Sequence, residues 1–110
     1  MSRSPNERFD DILSAIQRCR TYRYFLSNDE SQLSEMAFDA ILRNLAVIGE
    51  AVRALPTATL TSMPNVPWTS IAGLRNIVVH EYFRVNPELI SDIVDNYLDQ
   101  LQEALEGPSS

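Results

Sequence analysis

Four stretches of this chain repeat apolar residues at three- and four-residue spacing, a period that one face of an α-helix uses and a strand does not. The first opens with Ser4-Pro5-Asn6-Glu7: Ser4 can cap, Pro5 suits the first helical position, and Glu7 can complete a capping box. Phe9, Ile12, Leu13, Ile16 and Cys19 then form a stripe with Tyr22 and Leu26 close to it, which predicts a helix over about 5–27 that stops in Ser27-Asn28-Asp29. A second pattern over about 33–55 carries Phe38, Ile41, Leu42, Leu45, Ile48, Val52 and Leu55. The small residues Ala37, Ala40, Gly49 and Ala51 beside it permit close helix approach. Pro56 ends that pattern, and the stretch from Pro56 to Pro67, with three prolines and no period, reads as a surface connection.

Pro67-Trp68 starts a third helix that runs to about residue 83. Within it Ile77-Val78-Val79 is a β-branched run that alone favours a strand. The flanking pattern overrules it, since each propensity cost is only tenths of a kcal/mol and no other strand exists to pair with. The fourth helix, over about 87–106, begins at Asn86-Pro87-Glu88, a cap followed by a proline and an acid that suits the helix dipole. Its stripe is Leu89, Ile90, Ile93, Val94, Tyr97, Leu101 and Ala104, and Gly107-Pro108 closes it. Four helices with mostly short connections pack most simply as an all-α antiparallel four-helix bundle. Residues 1–110 are expected to form one domain around one core.

No stretch approaches the ~18 apolar residues of a membrane span, and Met1 to Asn6 lacks the regions of a signal peptide, so a cytoplasmic protein is expected. The lone Cys19 has no disulfide partner and no neighbour at metal-ligand spacing, and its place on an apolar stripe reads as a small buried side chain. The net charge of −6 opposes loose, charge-driven binding of nucleic acid. That charge is uneven: residues 86–110 hold six acids (Glu88, Asp92, Asp95, Asp99, Glu103, Glu106) and no base, so the rest balances nine arginines against nine acids. Any RNA contact must therefore come from a few focused arginines, with the acidic tail directed elsewhere.

The third helix holds Gly73-Leu74-Arg75-Asn76-Ile77-Val78-Val79-His80-Glu81-Tyr82. An Arg followed after four residues by His, in the extended form Arg-Asn, three residues, His, one residue, Tyr, resembles the motif of HepT-like toxins of the HEPN superfamily. Ile48-Gly49-Glu50-Ala51 and Val66-Pro67-Trp68 resemble further segments of that family in the same order, and the likeness runs from about Phe9 to Leu101. It implies a helical ribonuclease, the toxin of a toxin–antitoxin pair, with tRNA as the favoured target. It also implies a two-fold homodimer with the motif lining a cleft between subunits. Tyr82 matches the position to which a minimal nucleotidyltransferase antitoxin of the MntA type transfers AMP. A bulky anionic group there would block the groove beside Arg75.

Helical geometry bears on the motif independently. At about 100° per residue, with Arg75 at zero, Tyr82 falls near −20°, Val79 near 40°, Asn76 near 100° and His80 near 140°. An arc that wide needs a broad groove, or a second copy of the helix across a two-fold axis, to gather its polar groups. The residue types suit RNA cleavage without a metal or another cofactor, because RNA carries its own nucleophile in the 2′-OH. His80, the only histidine, is the candidate general acid or base. Arg75 is the candidate for binding the scissile phosphate and its developing charge. Asn76 could fix the imidazole tautomer or touch the phosphate.

Each of these residues also has a plainer reading. His80 alone could be a hydrogen-bonded core or surface histidine, and Arg75 could pair with Glu81 or with an acid on a neighbouring helix. Arg43 and Glu50, seven residues apart, share a side of the second helix; they either line the same groove, as candidate RNA-contacting residues, or form a solvated face. Trp68 reads as a core anchor under the adjoining loop, Gly49 as a close-packing position and the acidic fourth helix as a solvated face. The rival function is a non-catalytic helical subunit that binds substrate or scaffolds a nucleotidyltransferase complex.

Overall fold

The chain's helix-start signals take the form that capping chemistry dictates. In the computed structural model, which describes residues 3–26, 31–80 and 86–106 but not the side chains of Val79 and His80, the Ser4 hydroxyl accepts the Glu7 backbone N–H at 3.1 Å. The Glu7 carboxylate accepts the Ser4 N–H at 3.0 Å in return. Helix α1 (Pro5–Arg23) follows from this box. It is shorter than the expected 5–27 because its last carbonyls close tight turns: those of Tyr22 and Arg23 accept from Phe25 and Leu26, three residues on. Tyr22 and Leu26 still pack on the core, and the expected stop at Ser27-Asn28-Asp29 lies outside the described residues.

Helix α2 (Gln32–Arg53) starts from Ser31, whose hydroxyl accepts the Ser34 N–H at 3.1 Å, and its apolar stripe is buried as the period demands. The connection after it is more ordered than expected. Pro56 caps a short helix, α3 (Thr57–Ser62), which buries no residue fully. Six residues are too few to show a period; what holds them is the Trp68 indole, whose N–H is shared by the carbonyls of Leu60 at 3.1 Å and Met63 at 3.0 Å. Trp68 is thus a core anchor packed under the loop.

The third helix is interrupted at Gly73, giving α4 (Trp68–Ala72) and α5 (Leu74–His80); its expected continuation to residue 83 falls outside the described residues. Hydrogen bonding runs on through the break, with Gly73 donating to Thr69 at 3.0 Å and Ile77 to Gly73 at 3.1 Å. The β-branched run lies in this helix, with Ile77 and Val78 packed on the core. The fourth helix begins as expected, with Asn86 accepting the Leu89 N–H at 2.8 Å, but it is not uniform. It runs as α6 (Pro87–Asp92), a π-helical turn (Ile93–Tyr97) and α7 (Leu98–Glu106). The wider turn, in which Leu98 donates to Ile93, shifts the stripe by one residue. Leu98 is fully buried where Tyr97 was expected, while Tyr97 and Leu89 stay exposed at 39% and 41%.

All elements among the described residues are helical, and α2 is the central one, touching α1, α4, α5 and α6, while α1 also carries the π turn and α7. Ile12 and Ile16 of α1, Ile41, Leu45 and Ile48 of α2, Ile71 of α4, and Ile90, Leu98 and Leu101 of the last helix are almost wholly buried. Burial of each such side chain contributes about 1.5–3 kcal/mol. Cys19 sits among them, its thiol 3.9 Å from the Ile41 carbonyl, and burial pushes its pKa up to about 12. Its burial marks it as a structural cysteine. The buried Asn44 is satisfied by donating to the Ala40 carbonyl at 2.8 Å. No helix among the described residues is long and apolar enough to cross a membrane.

Candidate functional site

The motif helix reaches its place because Gly49 has no side chain. A Cβ on Gly49 would lie 2.9 Å from the backbone nitrogen of Arg75, 3.0 Å from its Cβ and 3.2 Å from the Ala72 carbonyl oxygen. The start of α5 therefore rests directly on the backbone of α2, a contact that alanine would already overfill. One residue further along α2, the Glu50 carboxylate takes the Arg75 Nε at 2.8 Å. Two of the segments singled out in the sequence, Gly49-Glu50 and Arg75, thus meet as a single structural unit. The plainer reading of Arg75, a pair with an acid on a neighbouring helix, is also what is observed. Both side chains remain partly open to solvent, at 37% and 58%, so the ion pair orients the guanidinium more than it stabilises the fold.

Arg75 and Glu50 lie at one border of an open groove of about 880 Å³. Arg43 of α2 lines it as well, and Arg43 and Glu50 are both exposed, so a groove and a solvated face coincide here. The opposite wall is α1, which supplies Arg8, Asp11 and Arg18. Small side chains, Ala46, Ala51 and Ala54, keep the α2 wall low between the charged groups. Arg8 and Arg18 lie outside the motif segments of the sequence. The signal was there, since Arg8, Asp11, Ser14 and Arg18 recur at intervals of three, three and four along one side of α1. What the sequence alone did not reveal is that this side faces α2's Arg43 and Glu50 rather than open solvent.

The electrostatics of the groove follow from pairings. Arg3 grips both oxygens of Asp11 at 2.7 Å, and Arg75 holds Glu50, so both groove carboxylates are engaged. Among the described residues, Arg8, Arg18 and Arg43 have no carboxylate within ion-pair distance. On the other side of α1, Arg20 binds Asp99 at 2.7 Å and Arg23 binds Asp95 at 3.2 Å. Part of the acidic tail is therefore spent on the arginines that face it, and the groove is left with an excess of positive charge in a chain of net charge −6.

The remaining site residues stand as follows. Asn76 is exposed on α5 and does not line this groove, as its rotation of about 100° from Arg75 requires. His80 is the last residue of α5, but its side chain is outside the described residues, and so is Tyr82 altogether. Among the described residues no group of three or more His, Cys, Asp or Glu side chains could hold a metal ion.

Residues 12–107 match the family described as Ribonuclease HepT-like. Among curated proteins, the chain is 38% identical over 86 residues to "Putative RNase MJ0127" of Methanocaldococcus jannaschii, covering 78% of this chain and 71% of the relative. It is 34% identical over 96 residues to "Putative RNase MJ1380" of the same organism, covering 87% and 88%. It is 26% identical over 106 residues to "Probable ribonuclease HepT" of Thermococcus cleftensis, covering 96% of each. No solved structure matches the chain significantly.

Proposed function

The chain belongs to the ribonuclease HepT-like family, and from that premise we propose that it is a metal-independent endoribonuclease toxin that uses Arg75 and His80 as its catalytic residues. The observation that carries this reading is the seating of Arg75. Gly49 lets its helix lie on α2, and Glu50 fixes its Nε at the border of an arginine-lined groove. With Nε held, the four N–H donors on the terminal nitrogens remain for a phosphate.

The reaction needs little beyond proton movement and charge stabilisation. The ribose 2′-OH loses its proton to a base as its oxygen attacks the adjacent phosphorus. The P–O5′ bond then breaks and the departing oxygen takes up a proton, leaving a 2′,3′-cyclic phosphate and a 5′-OH. His80 serves one of the two proton transfers, and Arg75 holds the non-bridging oxygens where charge accumulates. Asn76, one turn before His80, orients the imidazole or touches the phosphate. A homodimer that sets two motif helices across a two-fold axis would gather these groups from their wide arc.

The same reading extends to regulation. The substrate is tRNA in the cytoplasm, and the off switch is Tyr82, whose hydroxyl attacks the α-phosphate of ATP on a cognate MntA-like nucleotidyltransferase antitoxin and releases pyrophosphate. The net charge of −6 favours a second reading, a non-catalytic binding or scaffolding subunit of a nucleotidyltransferase complex.

Incubating the unmodified protein with total tRNA in the presence of a chelator separates the two. Cleavage to cyclic-phosphate ends, abolished by a 2′-deoxy residue at the cut site and by His80→Ala, is the expected result. Intact tRNA after exposure to demonstrably unmodified protein would favour the scaffolding subunit.

A further inference from the structure

We infer that the groove between α1 and α2 is a track for the ribose-phosphate backbone of single-stranded RNA, with Arg8, Arg18 and Arg43 as its phosphate-binding residues. This inference rests on the ribonuclease reading and adds to it where the strand lies and what it is selected by. Three observations carry it. First, these arginines line one groove with Arg75, and among the described residues none has a carboxylate partner, while Arg3, Arg20, Arg23 and Arg75 all do. The two carboxylates of the groove, Asp11 and Glu50, are held by Arg3 and Arg75, so the like charges of Arg8, Arg18 and Arg43 repel one another at some cost in stability. A polyanion laid between them relieves that cost and gains charge-assisted hydrogen bonds.

Second, the dimensions suit an extended strand. Arg8 and Arg18 are ten residues apart on α1, about 15 Å along the axis at 1.5 Å per residue, and the groove between the helices is open along its length rather than closed into a small-ligand cavity. Third, apart from its arginines the lining is poor in groups that read bases. No aromatic ring is among the described residues that line it, and its polar groups other than the arginines are Ser14 and two carboxylates already held by Arg3 and Arg75. Bases find no aromatic platform and no free amide groups there, so the groove supplies affinity and register more than base specificity. Any preference for a cut site then comes from the motif end near Arg75.

The test is binding of short single-stranded RNAs made uncleavable by 2′-O-methyl groups, read by fluorescence anisotropy across a salt series. It compares the parent, the triple variant Arg8→Gln/Arg18→Gln/Arg43→Gln, and Arg53→Gln, an exposed arginine of α2 outside the groove. The triple variant is expected to bind roughly tenfold or more weakly, with the slope of log K against log salt reduced by about 2, near 0.7 for each lost phosphate contact. The loss should be equal for oligo(A), oligo(U) and oligo(C), and Arg53→Gln should bind like the parent. Equal affinity of parent and triple variant, or a loss confined to one sequence, overturns the inference. Cleavage by the parent is read separately. A parent that cuts RNA while the triple variant binds undiminished overturns the groove alone. A parent that binds through these arginines but cuts nothing overturns the catalytic reading and leaves the groove standing.

Discussion

Helix α1 carries arginines on two sides, and the two sides have opposite fates. Arg20 and Arg23 face the last helix and are neutralised by Asp99 and Asp95, whereas Arg8 and Arg18 face α2 across the groove with no carboxylate partner among the described residues. The difference shows how a chain of net charge −6 can still offer a polyanion a positive surface. What decides binding is where the acids are engaged, not their sum. An acidic C-terminal helix that binds the far side of α1 leaves the near side free, and the surface pairs that achieve this contribute only about 0.2–1 kcal/mol each to stability.

The largest way to break the groove side is at Gly49. Gly49→Val pushes a branched side chain into the Arg75 backbone, and overpacking of this kind costs about 1–3 kcal/mol. A fall of several degrees in melting temperature is expected, with loss of RNA cleavage, while the Arg20 and Arg23 side keeps its ion pairs. A thermal melt alongside a cleavage assay checks both; unchanged cleavage would show that the seating of α5 is not needed. Next in size, Trp68→Phe keeps an aromatic ring under the loop but removes the donor shared by Leu60 and Met63, at a cost of about 1–2 kcal/mol in chemical denaturation.

Neutralising the acids of the last helix makes the paired side of α1 resemble the groove. Asp95→Asn/Asp99→Asn frees Arg20 and Arg23 and removes two negative charges, so binding to uncleavable RNA at low salt should strengthen and its salt dependence steepen. Stability should fall by less than about 1 kcal/mol per pair. No change in RNA affinity would mean that neutralisation by the last helix has no part in where RNA binds.

The effect that is smallest at neutral pH, and appears only in alkali, concerns Cys19 in the core. Its buried thiol keeps its proton up to about 12, whereas the unfolded chain releases it near the ordinary value of 9.0. Between those values the folded state binds the extra proton, so the stability this group contributes is full below about pH 9 and declines as pH rises toward 12. Cys19→Ala should remove that part of the alkaline slope in a pH series of denaturation curves.

The sequence made the helices legible because caps and period are local: Ser4-Pro5-Asn6-Glu7 and Asn86-Pro87 need only their own neighbours to act. The departures arise where a non-local contact decides. Trp68 organises Thr57–Ser62 from outside that segment, and the π turn at Ile93–Tyr97 trades Tyr97 for Leu98 in the core, a choice set by packing against α1. The site divides in the same way. Arg75 and Glu50 stand in motif segments and Gly49 reads as a close-packing position, but spacing leaves Arg43 and Glu50 open between a groove and a solvated face, and Arg8 and Arg18 join the groove only once α1 is laid beside α2.

The central claim is that Arg75, seated by Gly49 and oriented by Glu50, carries the charge that develops on the scissile phosphate. Single-turnover cleavage of one end-labelled RNA, at saturating protein and with a chelator present, tests it through the parent and Arg75→Ala. A rate about a hundredfold lower is expected for the variant at the same saturation, the scale seen when one group stabilising transition-state charge is removed. Equal rates at saturation would contradict it.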